Sequence, residues 1–339
     1  MTTTTIPVKA DLTSKVKGRI LPPLVTGQEY VLIGIIVALW ALLGVFTPAF
    51  LTAGSVVPLL VAVAPVALVG VGMTFVIITA GIDVSVGAAT MVAAVVVAKA
   101  MVALGLPLIP AVLLAMAIGG VLGLINGVLI AYGRIHPIII TFGTANLFMY
   151  LGLQIFGSST VNNIPSTFAI FGRGEEGRTL GIPHSFLITL IVLGAAWWFL
   201  RHRPSGRHLL AIGGNENAAR LAGVKVKQLL VSAYTLTGLL IGLGACFTLG
   251  MGTSTLDQGV GVGRELAVIA AVVIGGTSVL GGRGSVLGTL LGAILVQTVT
   301  SGVTQLGWPS QLSDLFVGLA IILAVGTDII RERARKKTS

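Results

Sequence analysis

Charged residues are scarce in this sequence. Asp, Glu, Lys and Arg make up 9% of its 339 residues, whereas soluble globular proteins carry about 25%. Apolar residues account for 55%, and the mean hydropathy is +1.02. A soluble protein of this length would need a charged surface that the sequence does not supply, so we expect a protein embedded in a lipid bilayer.

Residue patterns for catalysis or metal binding are also lacking. Cys246 is the only cysteine and lies in an apolar run, which excludes an intramolecular disulfide. The four histidines have no ligand spacing with it or with paired carboxylates. No Gly-x-x-x-x-Gly-Lys-Ser/Thr phosphate loop occurs. We therefore expect no metal, no cofactor and no catalytic residues, and energy for transport would come from an ion gradient or from another chain.

What the sequence has in abundance is long apolar runs. A membrane-spanning helix needs about 20 apolar residues, and ten runs approach or reach that length. The predicted fold class is an all-α, polytopic transmembrane helical bundle. The ten predicted spans lie roughly at 31–50, 55–80, 86–104, 109–131, 138–157, 185–200, 229–250, 265–282, 285–305 and 312–329.

The basic residues predict the orientation of these spans. If the N-terminus is cytoplasmic and each span reverses the side, both termini are cytoplasmic and nearly all Lys and Arg face the cytoplasm. The net charge of +10 then reflects membrane topology, and nucleic-acid binding is not expected. The path of 55–105 stays open, because Pro58, Pro65, Gly81 and Gly87 could mark a broken or re-entrant helix. The basic residues outside the cytoplasmic tracts are Lys99, Arg173, Arg178 and Arg264.

This topology divides the chain into three parts. Residues 1–30 form a cytoplasmic N-terminal arm, 31–330 form the transmembrane domain, and 331–339 form a basic cytoplasmic tail. The charged outer loop 158–184 could contact a partner or could simply keep the loop in water, and solvation is the commoner role of exposed charges.

Small residues recur along several spans. Gly119, Gly123 and Gly127 are four residues apart, as are Gly284, Gly288 and Gly292, and Gly238 and Gly242. In lipid such faces let helix backbones approach closely, so they predict helix packing. The stretches 76–91 and 273–288 each place a Gly-rich break between apolar runs, which suggests corresponding broken helices in two halves.

The longest cytoplasmic tract, 201–228, predicts a short capped helix. Asn215 is a good N-cap residue, Glu216 suits the first turn, and Gly223 suits the position after the C-cap. A helix over 216–222 is too short to be stable alone in water. These local features fit a docking element for a soluble partner and an ordinary basic loop about equally.

An ion-coupled secondary transporter is the alternative. Such transporters often hold carboxylates within their spans. The candidates here are Asp83, Glu265, Asp314 and Asp328, and all of them lie near predicted span borders. The alternative is therefore weakened but stays open at this point.

Four stretches resemble one transporter family. They are GMTFVIITAGIDVSVGA (72–88), NGVLIAYGRIHPIIITFGT (126–144), GRHLLAIGGNENAARLAGVKV (206–226) and ELAVIAAVVIGGTSVLGGRGSVLGTLLGA (265–293). In order and spacing they are similar to the ribose-type sugar permeases of bacterial ABC importers, whose substrates include ribose, xylose, rhamnose and autoinducer-2. The resemblance covers roughly residues 30–330.

The resemblance implies partners and a site. It implies a subunit of the bacterial inner membrane that pairs with a second, identical or related permease, with ABC ATPase subunits and with a periplasmic sugar-binding protein. It implies that 213–223 docks into the ATPase. The expected ATPase-coupling residues are Gly213, Asn215, Glu216, Ala218, Ala219, Arg220 and Gly223.

A sugar that leaves water needs hydrogen-bonding partners, so we expect a sparse polar lining along the translocation pathway. Asp83 is the leading candidate, because Gly81 and Gly87 flank it where a helix can break. Its other expected role is to cap the following span, through Asp83 or Ser85. The full set of candidate pathway residues is Asp83, Ser85, Asn126, Thr141, Asn146 and Gln154.

Overall fold

The computed structural model describes residues 27–157, 160–172, 174–252 and 254–338. Most of the predicted N-terminal arm, together with Arg173 of the outer loop, lies outside these residues. The described chain is built almost entirely of α-helices. They are α1 (Gly27–Phe46), α2 (Ala53–Ile78), α3 (Val86–Leu104), α4 (Leu108–Gly133), α5 (Pro137–Phe156), α6 (His184–His202), α7 (Pro204–Gly214), α8 (Glu216–Leu221), α9 (Val226–Met251), α10 (Arg264–Ile274), α11 (Val286–Gln305) and α12 (Gln311–Thr338).

All ten predicted spans coincide with helices, but one of these helices, α10, is too short to cross a membrane alone. Eight helices, α1 to α6, α9 and α11, are long and apolar enough to cross a membrane. The span predicted at 265–282 is corrected to α10, which has 11 residues and ends at Ile274. It ends there because Gly275 and Gly276 follow, and Gly276 has a φ of 93° that continues no helix. Helix α12 has 28 residues, and its stretch Gln311–Gly326 is apolar.

The uncertain region 55–105 forms two helices with one break. Helix α2 continues through Pro58 and Pro65 without interruption. It ends at Ile78, and the connection 79–85 leads into α3. Ala80 adopts a left-handed conformation in this connection, with a φ of 62°. Pro58 and Pro65 therefore do not break the helix. The break is the connection 79–85, which contains the sequence GID at 81–83.

Helix α2 forms the centre of the bundle. In its most apolar window 94% of the residues are buried, compared with 17% for the peripheral α1. It packs against α6, α9, α10 and α11. Helix α1 includes the residues from Gly27 to Tyr30, ahead of the predicted span. Among them, Glu29 is buried and accepts a hydrogen bond from Ser285 Oγ just before α11.

The predicted glycine faces pack as expected. A Cβ atom on Gly119 would overlap the carbonyl oxygen of Gly238, so α4 and α9 touch backbone to backbone. Between α10 and α11, a Cβ on Gly288 would overlap the carbonyl oxygen of Gly275. The small-residue repeats are therefore structural, as their pattern predicts.

The outer loop between α5 and α6 is compact. It contains a 3-10 turn at Ser166–Phe171 and a two-stranded antiparallel hairpin, β1 (Arg178–Thr179) with β2 (Ile182–Pro183). An isolated bridge pairs Val161 with Leu256, which ties this loop to the segment after α9.

Candidate coupling site

The tract 201–228 folds as two helices at one end of the bundle, the end where Arg134 and Lys227 also lie, which we call the basic end. Helix α7 was missed by the sequence analysis. Its signals are Pro204 at the first helical position, where proline is favoured, and the buried apolar pair Leu209 and Ile212.

The predicted short helix is present as α8, with both caps. The Asn215 side chain accepts a hydrogen bond from the Ala218 amide at 2.9 Å. At the other end Gly223 has a φ of 83°, and the Val224 amide donates to the Ala219 carbonyl oxygen at 3.0 Å. This is the glycine-based helix end known as the Schellman motif. Both ends of α8 are thus fixed locally, which a helix of six residues needs.

Helix α8 presents one apolar side to the outside. Its inner side is anchored by Ala219, which is buried with Ile212 and Val226. Leu221 on the outer side is 90% exposed, and Ala218 is exposed beside it. Glu216 and Arg220 form an ion pair along the surface of the helix. Leu221 and Ala218 are therefore accessible from outside the described part of the chain.

The end of α7 contacts both of the predicted helix breaks, the first within 76–91 and the second within 273–288. Gly213 packs so closely on the end of α2 that a Cβ atom there would overlap the carbonyl oxygen of Ile78. The same carbonyl accepts a hydrogen bond from the Gly282 amide at 2.9 Å. Gly281 lies beside Ala80 and Gly213, since a Cβ there would be 2.9 Å from the Gly213 carbonyl oxygen. We call the meeting of Gly213, Ile78, Gly281 and Gly282 the glycine junction.

Four of the six candidate pathway residues form one buried network. Asp83 Oδ1 accepts hydrogen bonds from the amide of Ser85 at 2.9 Å and from its hydroxyl at 2.6 Å. The Asn126 amide donates to Ser85 Oγ at 2.8 Å. The Thr141 hydroxyl donates to the Ile82 carbonyl oxygen at 3.0 Å. Asp83, Ser85, Asn126 and Thr141 are all at most 1% exposed, so in this conformation they line no open channel.

The network differs from the expected cap of α3. Asp83 closes a turn onto Ser85 before the helix starts, and Ser85, the N-cap residue, makes no side-chain bond to the first helical amides. Thr144, which is not among the predicted residues, also belongs to the network, because its hydroxyl donates to Asn126 Oδ1 at 2.7 Å. The sequence feature that could have predicted Thr144 is its spacing of three residues from Thr141, which places both side chains on one helix face.

The other two candidates, Asn146 and Gln154, lie elsewhere. Both are on the exposed face of α5, and the Asn146 side chain donates to the Phe142 carbonyl oxygen at 2.8 Å. With Tyr150 between them, they follow a spacing of four residues and form a polar stripe, bordered by the exposed Phe142 and Leu147. Amide side chains on a surface that meets hydrocarbon are costly, so this stripe fits a surface covered by protein or water.

Two of the span-border carboxylates, Glu265 and Asp314, lie in the first turns of helices. Glu265 lies in the first turn of α10, as expected for the helix dipole. Beside it, the half-buried Arg264 guanidinium donates to Thr248 Oγ1 at 2.7 Å. Among the described residues no group of three or more His, Cys, Asp or Glu side chains could hold a metal ion.

Comparison with known proteins identifies relatives along nearly the whole chain. The chain is 36% identical over 294 residues to the ribose import permease protein of Escherichia coli (strain K12), covering 86% of this chain and 91% of that protein. It is 38% identical over 292 residues to the ribose import permease protein of Bacillus subtilis (strain 168), covering 85% and 88%. The D-allose transport system permease protein of Escherichia coli (strain K12) is 33% identical over 301 residues, covering 88% and 90%.

No solved structure matches the chain. Residues 55–325 match the family described as "Branched-chain amino acid transport system / permease component", which spans all described helices from α2 to the apolar part of α12. Together with the apolar helices and the identity to import permeases, this match shows that the chain belongs to that family of membrane-spanning permease components.

Proposed function

We propose that this chain is the membrane permease of a bacterial ABC importer that carries a sugar or a sugar-like signal. The observation that carries the proposal is the extent of the match, since import permeases for ribose and D-allose align with 85–88% of the chain. An ion-coupled mechanism has less support, because Asp83 is engaged in a hydrogen-bonded network and Glu265 starts a helix.

The energy source in this proposal is a separate ATPase that docks on α8. Support comes from the exposed Leu221 and Ala218, held on a helix capped at both ends and anchored by Ala219. Gly213, Asn215, Glu216, Arg220 and Gly223 then have structural roles: they hold the position and shape of α8. The basic end would face the cytoplasm, as would both chain termini.

Movement of α8 would reach the transmembrane helices through the glycine junction. Helix α7 connects directly to α8 through Asn215, and Gly213 contacts the backbone of Ile78 at the end of α2 and of Gly282 within the connection 275–285. Backbone contacts of this kind transmit displacement because the packed groups cannot deform. The two helix breaks would therefore move together when the ATPase closes.

For the translocation pathway, the six candidate residues divide into two roles. Asp83, Ser85, Asn126 and Thr141 would hold the break between α2 and α3 in shape. Asn146 and Gln154 would face the sugar, along an interface with a second, identical or related permease. A polar stripe of amides and a tyrosine offers donors and acceptors to sugar hydroxyls without the tight binding that would slow release. A periplasmic sugar-binding protein would deliver the substrate.

The docking proposal can be tested by co-purification. Leu221→Asp places a charge in the contact face, and because Leu221 is exposed the permease should still fold. We expect at least a tenfold loss of the co-expressed ATPase from the purified complex. The matched control is Leu180→Asp, at a 97% exposed leucine in the turn of the outer hairpin, which should leave ATPase binding unchanged. Equal ATPase recovery with both variants would contradict docking on α8.

The substrate class is tested separately with the partner binding protein. Calorimetric titration with ribose, allose, xylose and rhamnose should give saturable binding to at least one sugar. Leucine, isoleucine and valine serve as the contrasting set, because the family description also covers branched-chain amino acid transport. Binding of an amino acid and of no sugar would overturn the sugar assignment but leave the permease assignment intact.

A further inference from the structure

The residues that line a cavity at the basic end carry a net positive charge. The cavity has a volume of about 970 Å³ and opens between the ends of α2 and α4, helix α8 and the start of α9. Glu216 is its only acidic lining residue, and it pairs with Arg220. Within the described residues no carboxylate pairs with the other basic lining residues, which are Arg134, Lys225 and Lys227.

An apolar groove continues from this cavity along the outer surface of α4 and α9. It shares Tyr132 and Gln228 with the cavity and has a volume of about 440 Å³. The Lys227 ammonium lies 4.7 Å from the centre of the Tyr132 ring, where the two spaces meet. The groove itself is lined by Val128, Val231, Ser232, Thr235, Leu236 and Leu239.

The groove lies on a side of the bundle suited to hydrocarbon. Helix α4 exposes Val121, Leu124 and Val128 there, each with at least two fifths of its surface accessible. The cavity and the groove thus lie side by side, with a cationic part at the basic end and an apolar part beside the membrane-facing helices. A phospholipid has the matching arrangement, with a charged head group and apolar acyl chains.

We propose that the cavity and the groove bind one anionic phospholipid, with its phosphate among Arg134, Lys225 and Lys227 and an acyl chain along α4 and α9. Guanidinium and ammonium groups donate charge-assisted hydrogen bonds to phosphate oxygens. Basic pockets between membrane helices on the cytoplasmic side bind anionic head groups. The lipid would touch the segment that follows α8, so it would steady the docking helix from its membrane side. This inference does not depend on the transported substrate.

The test measures lipid retention by native mass spectrometry. The purified permease is released from detergent in the presence of equal amounts of dioleoylphosphatidylglycerol and dioleoylphosphatidylcholine. We expect preferential retention of one phosphatidylglycerol. The triple variant Arg134→Gln, Lys225→Gln, Lys227→Gln should reduce this retention by about a hundredfold, because each of the three basic residues contributes about fivefold near an anionic surface. The control variant Arg201→Gln, Arg203→Gln, Arg207→Gln removes three cations of the same end that do not line the cavity, and it should retain the lipid.

A second variant tests the groove. Ser232→Trp fills the groove without changing its charge, and it should displace the lipid. Val121→Trp, on the neighbouring surface of α4 but outside the groove, should not displace it.

Inorganic phosphate at millimolar concentration should compete weakly with the lipid and reduce its retention by less than twofold. Equal retention by the triple variant and its control would overturn the proposal. Full competition by inorganic phosphate would also overturn it, because it would indicate a site for a free anion. Loss of ATPase binding in the triple variant with unchanged lipid retention would overturn it too, because it would assign the cavity to the ATPase interface.

Discussion

The Gly282 amide donates a hydrogen bond of 2.9 Å to the Ile78 carbonyl oxygen, and this bond joins the two helix breaks of the bundle. Ile78 ends α2 before the first break, and Gly282 lies within the second, some two hundred residues later in the chain. Gly213 of α7 packs on the same carbonyl. One backbone group therefore connects both breaks with the helix pair proposed to receive the ATPase.

The first prediction concerns Gly213. Gly213→Ala places a methyl group against the Ile78 carbonyl oxygen and the Gly282 amide, which should cost about 1–3 kcal/mol through overpacking and separate the two breaks. We expect a lower thermal unfolding midpoint in detergent and loss of transport. Gly214→Ala is the control, because a Cβ there meets nothing within 4 Å. If the two variants behave alike, the junction has no coupling role.

The second prediction concerns the packing of α4 on α9. Gly119→Ala would force the two helix backbones apart, and we expect a loss of about 1–3 kcal/mol in the free energy of unfolding. Gly143→Ala on α5 has open space around its Cβ and should be neutral or slightly stabilising, since alanine is the better helix former. Thermal unfolding of both purified variants makes the comparison. An unchanged midpoint for Gly119→Ala would show that the close approach is not needed.

Sequence patterns predicted the helices and their packing because those depend on nearby residues. Hydropathy located the long helices, the spacing of four residues identified the glycine faces, and Asn215 with Gly223 located α8. Helix α7 was missed because Gly206, Gly213 and Gly214 lower its helix propensity, and tertiary packing of Leu209 and Ile212 overrides that. The division of the six polar candidates depends on the rotation of α5 and on partners far apart in sequence, such as Ser85 and Asn126, which a single sequence does not reveal.

The third prediction separates charge from hydrogen bonding at Asp83. Asp83→Ala removes the acceptor of the Ser85 amide and hydroxyl, and leaving buried donors unpaired costs about 1–3 kcal/mol. Asp83→Asn keeps one acceptor oxygen, so we expect it to fold with most of its stability and to support transport. Unfolding midpoints and uptake rates of both variants provide the measurement. A folded Asp83→Asn protein that transports nothing would give the carboxylate a direct role in the pathway.

The fourth prediction concerns the polar stripe on α5. Asn146→Leu combined with Gln154→Leu removes the amides without touching the core, because both side chains are exposed. We expect uptake to fall at least fivefold while insertion and thermal stability stay unchanged. Leu147→Met, at the exposed neighbour of Asn146, is the control and should transport normally. Normal uptake by the double variant would remove the stripe from the pathway.

The most direct test of the central claim is uptake in proteoliposomes that contain the permease, with its ATPase and binding protein. We expect labelled sugar to accumulate only when all three proteins and ATP are present. An imposed proton or sodium gradient should not replace ATP. Accumulation driven by such a gradient, without ATP or the ATPase, would identify the chain as an ion-coupled transporter and overturn the ABC importer assignment.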